Sequence, residues 1–197
     1  MLALTAPKKC GLKINQIKDK MTFNNFIIRP IRNEDSLNYH SLIDQNKERL
    51  SKYFPKTLNA NKDLESTTAH VVERIRLTEK KEFFTFVIFD NLSNKIVGTI
   101  FLKELDWNIP KGEIGFFIEQ NYEGKGIITK SVSLVINHCF DTLDLNKVYM
   151  RIAEDNISSK RVAEKNDFKV EGVLRKDFKT SEGELIDVVY YGLLKNE

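Results

Sequence analysis

At 197 residues, the chain has the length of one globular domain with a sizeable core, and 41% hydrophobic and 30% charged residues are typical of a water-soluble protein. Its formal net charge is +3, of which residues 1–22 carry +4, so the remainder carries −1. A nearly neutral body argues against a dedicated nucleic-acid binder, and DNA is not expected as a partner. No apolar run approaches the about 20 residues that cross a bilayer.

The chain begins with a basic segment that has no sustained periodicity. Residues 1–22 hold five Lys and one Asp, which predicts a flexible extension ahead of a domain at 23–197. The apolar run LALTAP is too short for a signal peptide. Cys10 and Cys139 form no disulfide framework, so we predict a cytoplasmic protein.

One strand and a group of helices are predicted next. The segment FIIRPI at 26–31 predicts a strand, and Asn33 is a favourable N-cap for a helix that begins at Glu34. These helices are candidates for one wall of a substrate groove. The other predicted elements of this region are a helix at 47–53, a polar loop at 57–63 and a helix at 64–80.

The remaining elements alternate in type. Three strands in succession precede a strand–helix–strand unit, and a hairpin closes the chain, which predicts an α+β domain. Its sheet is expected to be mixed, mostly antiparallel and seven-stranded, with flanking helices. The strands after the first are predicted at 83–90, 95–105, 111–119, 147–154, 168–179 and 185–194, and the helices at 125–140 and 155–166.

The helix at 125–140 starts in an unusual way. No Ser, Thr, Asp or Asn stands at its cap, whereas Gly124 and Gly126 allow the backbone to come close to a ligand. The unpaired amides and the positive end of the helix dipole favour a phosphate or diphosphate there. The alternative is a glycine turn before an ordinary core helix. Neither a Walker-type loop nor a GxGxxG dinucleotide motif is present.

This stretch resembles the diphosphate loop of the GNAT acetyltransferases, whose pattern is [QR]xxGx[GA]. The letters EGKGII at 123–128 follow it, with Glu123 in place of Gln or Arg and Ile128 in place of Gly or Ala. The resemblance continues through KGEIGFFIE, DNISSKRVAEKNDFKVEGVLR and DVVYYGLL, and favours the ribosomal-protein N-acetyltransferase (RimJ/RimL) branch over residues 25–195. It implies acetyl-CoA as cosubstrate, bound by Ile118, Gly124, Lys125, Gly126, Ile127, Ile128, Thr129 and Asn156.

Two residues are candidates for the proton steps. Strand alternation puts Glu113 on one face with Gly115 and Phe117, and the resemblance implies that its carboxylate faces the acceptor amine as general base. The alternative is a solvated Glu at a strand end. Asn156 and Ser159 match the NxxS element of this branch, in which Asn meets the pantetheine arm and Ser is a candidate acid. Asn156 is also a natural helix N-cap, and both roles are compatible.

The sequence argues against metal and covalent catalysis. His40, His70 and His138 have no metal-ligand spacing with one another or with the Cys pair. No GxSxG motif is present, and Cys139 falls on the apolar face of the helix at 125–140. We therefore predict direct transfer to the amine, with no metal.

The leading hypothesis is an acetyl-CoA-dependent N-acetyltransferase acting on a primary amine. By resemblance, a protein N-terminus is the first candidate acceptor, and a polyamine or an aminoglycoside-type amine is the second. A third hypothesis, from a different class, is a non-catalytic acyl-CoA-binding or ribosome-associated module. No membrane partner is expected, and the oligomeric state is left open.

Overall fold

The computed structural model describes residues 20–197, which contain eight strands and six helices. The strands are β1 (Met21–Phe23), β2 (Phe26–Pro30), β3 (Phe84–Asp90), β4 (Lys95–Asp106), β5 (Lys111–Ile118), β6 (Lys147–Ala153), β7 (Lys169–Lys179) and β8 (Leu185–Leu194). The helices are α1 (Ser36–Gln45), α2 (Lys47–Ser51), α3 (Pro55–Ala60), α4 (Leu64–Glu79), α5 (Ile127–Asp141) and α6 (Ile157–Glu164).

All eight strands form one sheet in the order β1-β2-β3-β4-β5-β6-β8-β7. Every neighbouring pair is antiparallel except β5 and β6, which are parallel and are joined through α5. This is the predicted α+β architecture with a mixed, mostly antiparallel sheet.

The eighth strand is one that the sequence did not predict. β1 is only three residues long and pairs with β2, with Asn24 in the left-handed region at the turn (φ 46°). Three residues are too short to show an alternating pattern. Met21 and Thr22, which the sequence assigned to the extension at 1–22, therefore belong to the sheet. Residues 1–19 of the predicted extension, with Cys10, lie outside the described residues.

Two local predictions before β3 are wrong. Asn33 does not cap a helix, because it begins a 3₁₀ turn ahead of α1. The buried carboxylate of Asp35 accepts the backbone N–H of Arg32 at 2.8 Å and a guanidinium N–H of Arg29 at 2.7 Å.

The second wrong prediction is the loop at 57–63. Most of it belongs to the helix α3, which starts with Pro55 at its first position. Proline is favoured there because its fixed φ suits a helix and its missing N–H would be unpaired anyway.

The sheet has a core on each face because alternate residues of its strands point to opposite sides. On one face Val132, Val135 and Cys139 of α5 pack against residues such as Ile100 of β4. On the other face α1 and α4 cover the neighbouring Phe101. The apolar periodicity of α5 thus correctly predicted its buried side, and α5 is fixed against the middle of the sheet.

Candidate active site

The sheet opens between its two parallel strands. β5 and β6 pair only at Lys111–Glu113 with Lys147–Tyr149. Beyond this point β5 pairs only with β4, and β6 only with β8. The gap between their carboxyl ends holds two cavities, one on each side of Phe116, Asn156 and Ser159.

The larger cavity is a cleft of about 500 Å³ at the start of α5. Gly124 and Gly126 both have positive φ, 71° and 74°, and no atom beyond their own chain neighbours lies within 4 Å of the place where a Cβ would stand on either one. Gly126 is the N-cap of α5, without a side-chain cap. A side chain at these positions would occupy open space in the cleft wall, which is why glycine suits a close approach of a ligand.

The backbone of this turn presents unpaired donors. The first intrahelical bond of α5 runs from the Lys130 N–H to the Gly126 carbonyl at 3.0 Å. The N–H groups of Ile127, Ile128 and Thr129 consequently have no helical acceptor. With the positive end of the helix dipole, they suit a phosphate or diphosphate. The residues present therefore fit the diphosphate of acetyl-CoA.

The structure brings the predicted cofactor-binding residues together, with one exception. The side chain of Lys125 turns to the ring of Tyr122, with its ammonium 5.5 Å from the ring centroid, and Lys125 is not among the residues that line the cleft. The others line the cleft: Ile118, Gly124, Gly126, Ile127, Ile128, Thr129 and Asn156.

The smaller cavity is a chamber of about 140 Å³ that contains Glu113. Glu113 is only 4% exposed, and the unbroken pairing of β5 with β4 from Glu113 to Ile118 puts it on the same face as Gly115, as alternation predicted. Its Oε1 is 3.2 Å from Lys103 Nζ, and its Oε2 accepts Arg151 Nε at 3.1 Å and Nη2 at 2.8 Å. The alternative of a solvated strand-end Glu is wrong, because the carboxylate is buried in an ion-pair network.

The network continues from Glu113 to Asp177, whose Oδ2 accepts Arg151 Nη1 at 3.0 Å. Burial alone would lower the pKa of Arg151, but the hydrogen bonds and charges of Glu113 and Asp177 raise it above its usual value. The neighbouring Tyr149 has its pKa raised to about 12, first by burial and then by the charge of Glu113. Tyr149 is therefore a neutral phenol at physiological pH.

Asn156 and Ser159 line both cavities. The Asn156 Oδ1 accepts the backbone N–H of Ser159 at 3.1 Å and caps α6, as the sequence predicted. It also accepts the Ser158 hydroxyl at 3.0 Å. Its amide Nδ2 donates to no acceptor among residues 20–197, so Asn156 caps the helix while retaining donors at the junction of the cavities.

Aromatic residues from the first helices close the junction. Tyr53 and Phe54, which follow α2, line both cavities. The Tyr53 hydroxyl donates to Asp155 Oδ1 at 2.7 Å, and Lys52 Nζ donates to Asp155 Oδ2 at 2.7 Å. These hydrogen bonds, first that from Lys52, lower the pKa of Asp155. Of the first helices, α2 and the residues that follow it line the cavities, through Arg49, Leu50, Tyr53 and Phe54.

Sequence reasoning missed several charged residues at the site. Lys103 and Arg151 come from strands on either side of β5, and Asp177 comes from a bulge where the register of β7 slips between Leu174 and Phe178. Arg49 of α2 contacts Glu123 across the mouth of the cleft. No local pattern marks these residues, because their partners are distant in sequence.

Cys139 is fully buried in the core, and burial raises the pKa of its thiol. A thiol without solvent access makes a poor nucleophile. We expect Cys139→Ala to keep the steady-state acetyl-transfer rate within about twofold of wild type while lowering the unfolding free energy by about 1 kcal/mol. Thiol-release kinetics and denaturant unfolding measure the two effects, and a large loss of turnover in a folded variant would contradict direct transfer.

Among residues 20–197, no group of three or more His, Cys, Asp and Glu side chains is placed to hold a metal ion. In the same part of the chain, no helix is both long enough and apolar enough to span a membrane.

Comparisons with known proteins identify the family. Residues 25–169 match the family model described as "Acetyltransferase (GNAT) domain". "Putative ribosomal N-acetyltransferase YdaF" of Bacillus subtilis (strain 168) is 33% identical over 86% of this chain and 91% of its own length. Spermidine N(1)-acetyltransferase of Escherichia coli (strain K12) is 26% identical, covering 77% of this chain and 76% of its own.

A solved structure shows the same fold. RimL, a ribosomal alpha-N-protein acetyltransferase in complex with coenzyme A, has a TM-score of 0.79 and 22% identity, covering 87% of this chain and 95% of that one. The chain belongs to the GNAT acetyltransferase family, with relatives among the ribosomal-protein acetyltransferases. The resemblance read from the sequence is confirmed, and the protein is an acyltransferase.

Proposed function

We propose that this protein transfers the acetyl group of acetyl-CoA to the α-amine of a protein N-terminus. The observation that carries the proposal is the meeting of the two cavities at Asn156 and Ser159. An anion cradle lies on one side of that junction and a chamber with a buried carboxylate lies on the other. This arrangement suits an acyl donor and an amine that approach one another from opposite sides.

The cleft residues have separate roles in this proposal. The amides of Ile127, Ile128 and Thr129 bind the diphosphate, with Gly124 and Gly126 leaving room for it. Asn156 donates from Nδ2 to the pantetheine arm. Acetyl-CoA supplies the thioester, and its carbonyl carbon is where the neutral amine attacks. The cosubstrate named for the RimL structure, coenzyme A, supports this assignment.

Two proton movements accompany the transfer. The amine must lose a proton, and the departing thiolate must gain one. Of about four lone-pair sites on the Glu113 carboxylate, Arg151 occupies the two on Oε2, whereas Oε1 forms an ion pair with Lys103. We assign Oε1 to a water relay that accepts the amine proton. Ser159 donates its hydroxyl proton to the leaving thiolate.

The charges of the chamber favour an α-amine over a polyamine. Both carboxylates in its wall, Glu113 and Asp177, are already ion-paired with Lys103 and Arg151. A second ammonium group of a polyamine would find no uncompensated carboxylate in that wall. An α-amine also needs less assistance, because its pKa is about 8 whereas that of a Lys side chain is about 10.4.

An amine panel tests the acceptor class. The purified protein is given acetyl-CoA with a peptide that has a free α-amine, the same peptide with a blocked α-amine and an internal Lys, spermidine, or an aminoglycoside. Thiol release and the mass of the product are measured. We expect turnover on the free α-amine, and the blocked peptide is its control. Turnover on spermidine alone would assign the polyamine function, whereas binding of CoA without turnover on any amine would favour the non-catalytic module.

Replacing Ser159 is expected to have a moderate effect. Ser159→Ala should lower turnover about tenfold, because a thiolate with a pKa near 8.5 leaves without a dedicated acid or takes its proton from water. The neighbouring Ser158, whose hydroxyl is bonded to Asn156, provides the control variant Ser158→Ala. Steady-state kinetics with a thiol reagent measure both. Equal rates for Ser159→Ala and wild type would remove Ser159 from the proton step.

A further inference from the structure

The guanidinium of Arg49 is held firmly at the mouth of the cleft. Its Nη1 donates to the Asn46 side-chain oxygen at 2.9 Å and to the Ile118 carbonyl at 3.4 Å, and its Nη2 donates to Glu123. Asn46 is itself buried, 3% exposed, and its Nδ2 donates to the Leu42 carbonyl at 2.8 Å. The orientation of Arg49 is therefore fixed by the residue between α1 and α2, by the end of β5 and by the residue before the glycine turn.

This arrangement leaves donors available to a ligand. Of the five N–H donors of a guanidinium, three are used by these contacts. The Nε–H and one N–H of Nη2 have no acceptor among residues 20–197. Arg49 lines the same cleft as the amides of Ile127, Ile128 and Thr129. A polar ligand bound to those amides therefore lies in the cleft that Arg49 also lines.

Glu123 explains why a cation is needed at this position. It immediately precedes Gly124 and lines the cleft, so an uncompensated carboxylate there would repel any phosphate on the cradle. The salt bridge with Arg49 neutralises that charge. Lys125 does not serve this purpose, because its ammonium lies over the Tyr122 ring.

We propose that Arg49 is a ligand of the diphosphate of the acyl-CoA and that Glu123 positions its guanidinium. The inference rests on the proposed function, which requires a CoA diphosphate in this cleft. It adds a side chain from α2 to a site formed otherwise by the backbone before and within the first turn of α5. A guanidinium suits this role because its planar donors make charge-assisted hydrogen bonds with phosphate oxygens.

Calorimetry with CoA tests the proposal. We expect Arg49→Ala to weaken CoA binding about 10- to 100-fold, the usual range for a lost charge-assisted hydrogen bond. Adding Glu123→Gln to that variant should recover about two- to fivefold, because it removes the uncompensated carboxylate. A purely structural role of Arg49 in holding α2 would not be rescued by removing the charge of its partner.

Arg76 on α4 provides the matched control. It is exposed, and its Nη2 forms an ion pair with Glu73 at 2.6 Å outside the cleft. Arg76→Ala should leave CoA affinity unchanged, and thermal unfolding confirms that each variant is folded. The inference is overturned if Arg49→Ala binds CoA within twofold of wild type, or if Glu123→Gln gives no recovery in its background. If the wild-type protein binds no CoA, the proposed function is overturned as well. If the wild-type protein binds CoA normally, only the assignment of Arg49 as a ligand is overturned.

Discussion

Glu113→Gln should lower acetyl transfer to an α-amine about 100-fold at neutral pH. The substitution keeps the size of the side chain but removes the proton acceptor, and general-base catalysis contributes about 10² to 10⁴ in rate. We expect the lower end of that range, because cationic partners occupy most of the carboxylate. Turnover of the variant should rise as the pH passes through about 8, where the amine is already neutral. Steady-state kinetics from about pH 6 to about pH 9 measure this profile.

The control for this prediction is Glu119→Gln. Glu119 follows the same strand and accepts a hydrogen bond from Asn121 at 3.0 Å, outside the chamber wall. In the Glu113 variant Arg151 keeps Asp177 as a partner, so we expect a folded protein that is less stable by about 1–3 kcal/mol. A loss of turnover that is equal at every pH would indicate that Glu113 orients Arg151 and is not the general base. Full activity across the range would transfer the base role to ordered water.

Gly126→Val should weaken CoA binding about 100-fold. A side chain at this position would project into open space beside the proposed diphosphate site, because no atom beyond the neighbouring residues lies within 4 Å of the added Cβ. Each charge-assisted hydrogen bond that the phosphate loses costs about 1.5–3 kcal/mol. Calorimetry with CoA measures the affinity, and the positive φ of 74° predicts an additional loss of stability of about 1–2 kcal/mol for a valine at this position.

Gly183→Val separates these two effects. Gly183 also has a positive φ, 87°, but it lies in the turn between β7 and β8 and lines neither cavity. This control variant should lose stability and retain its affinity for CoA. Unchanged affinity in Gly126→Val would show that the diphosphate binds elsewhere. A variant with Lys125→Ala should bind CoA almost as wild type, because the proposed contacts come from backbone amides.

Local patterns in the sequence determined much of this protein. The period of the apolar residues predicted α5 and its buried face, and strand alternation placed Glu113 and Gly115 on one side of β5. The cap at Asn156 and the glycines before α5 were also predicted correctly. These features depend on residues within a few positions of one another, because hydrogen bonds and side-chain direction repeat within each helix or strand.

Only the tertiary structure decided what surrounds those residues. The sequence predicted the face of Glu113 but not its partners, Lys103 and Arg151, which reach it from the strands on either side. Asp177 enters the chamber because a bulge shifts the register of β7, and such a shift changes which face a side chain occupies. Arg49 meets Glu123 across 74 positions of the chain. These contacts depend on how whole elements pack together, and no local pattern records that.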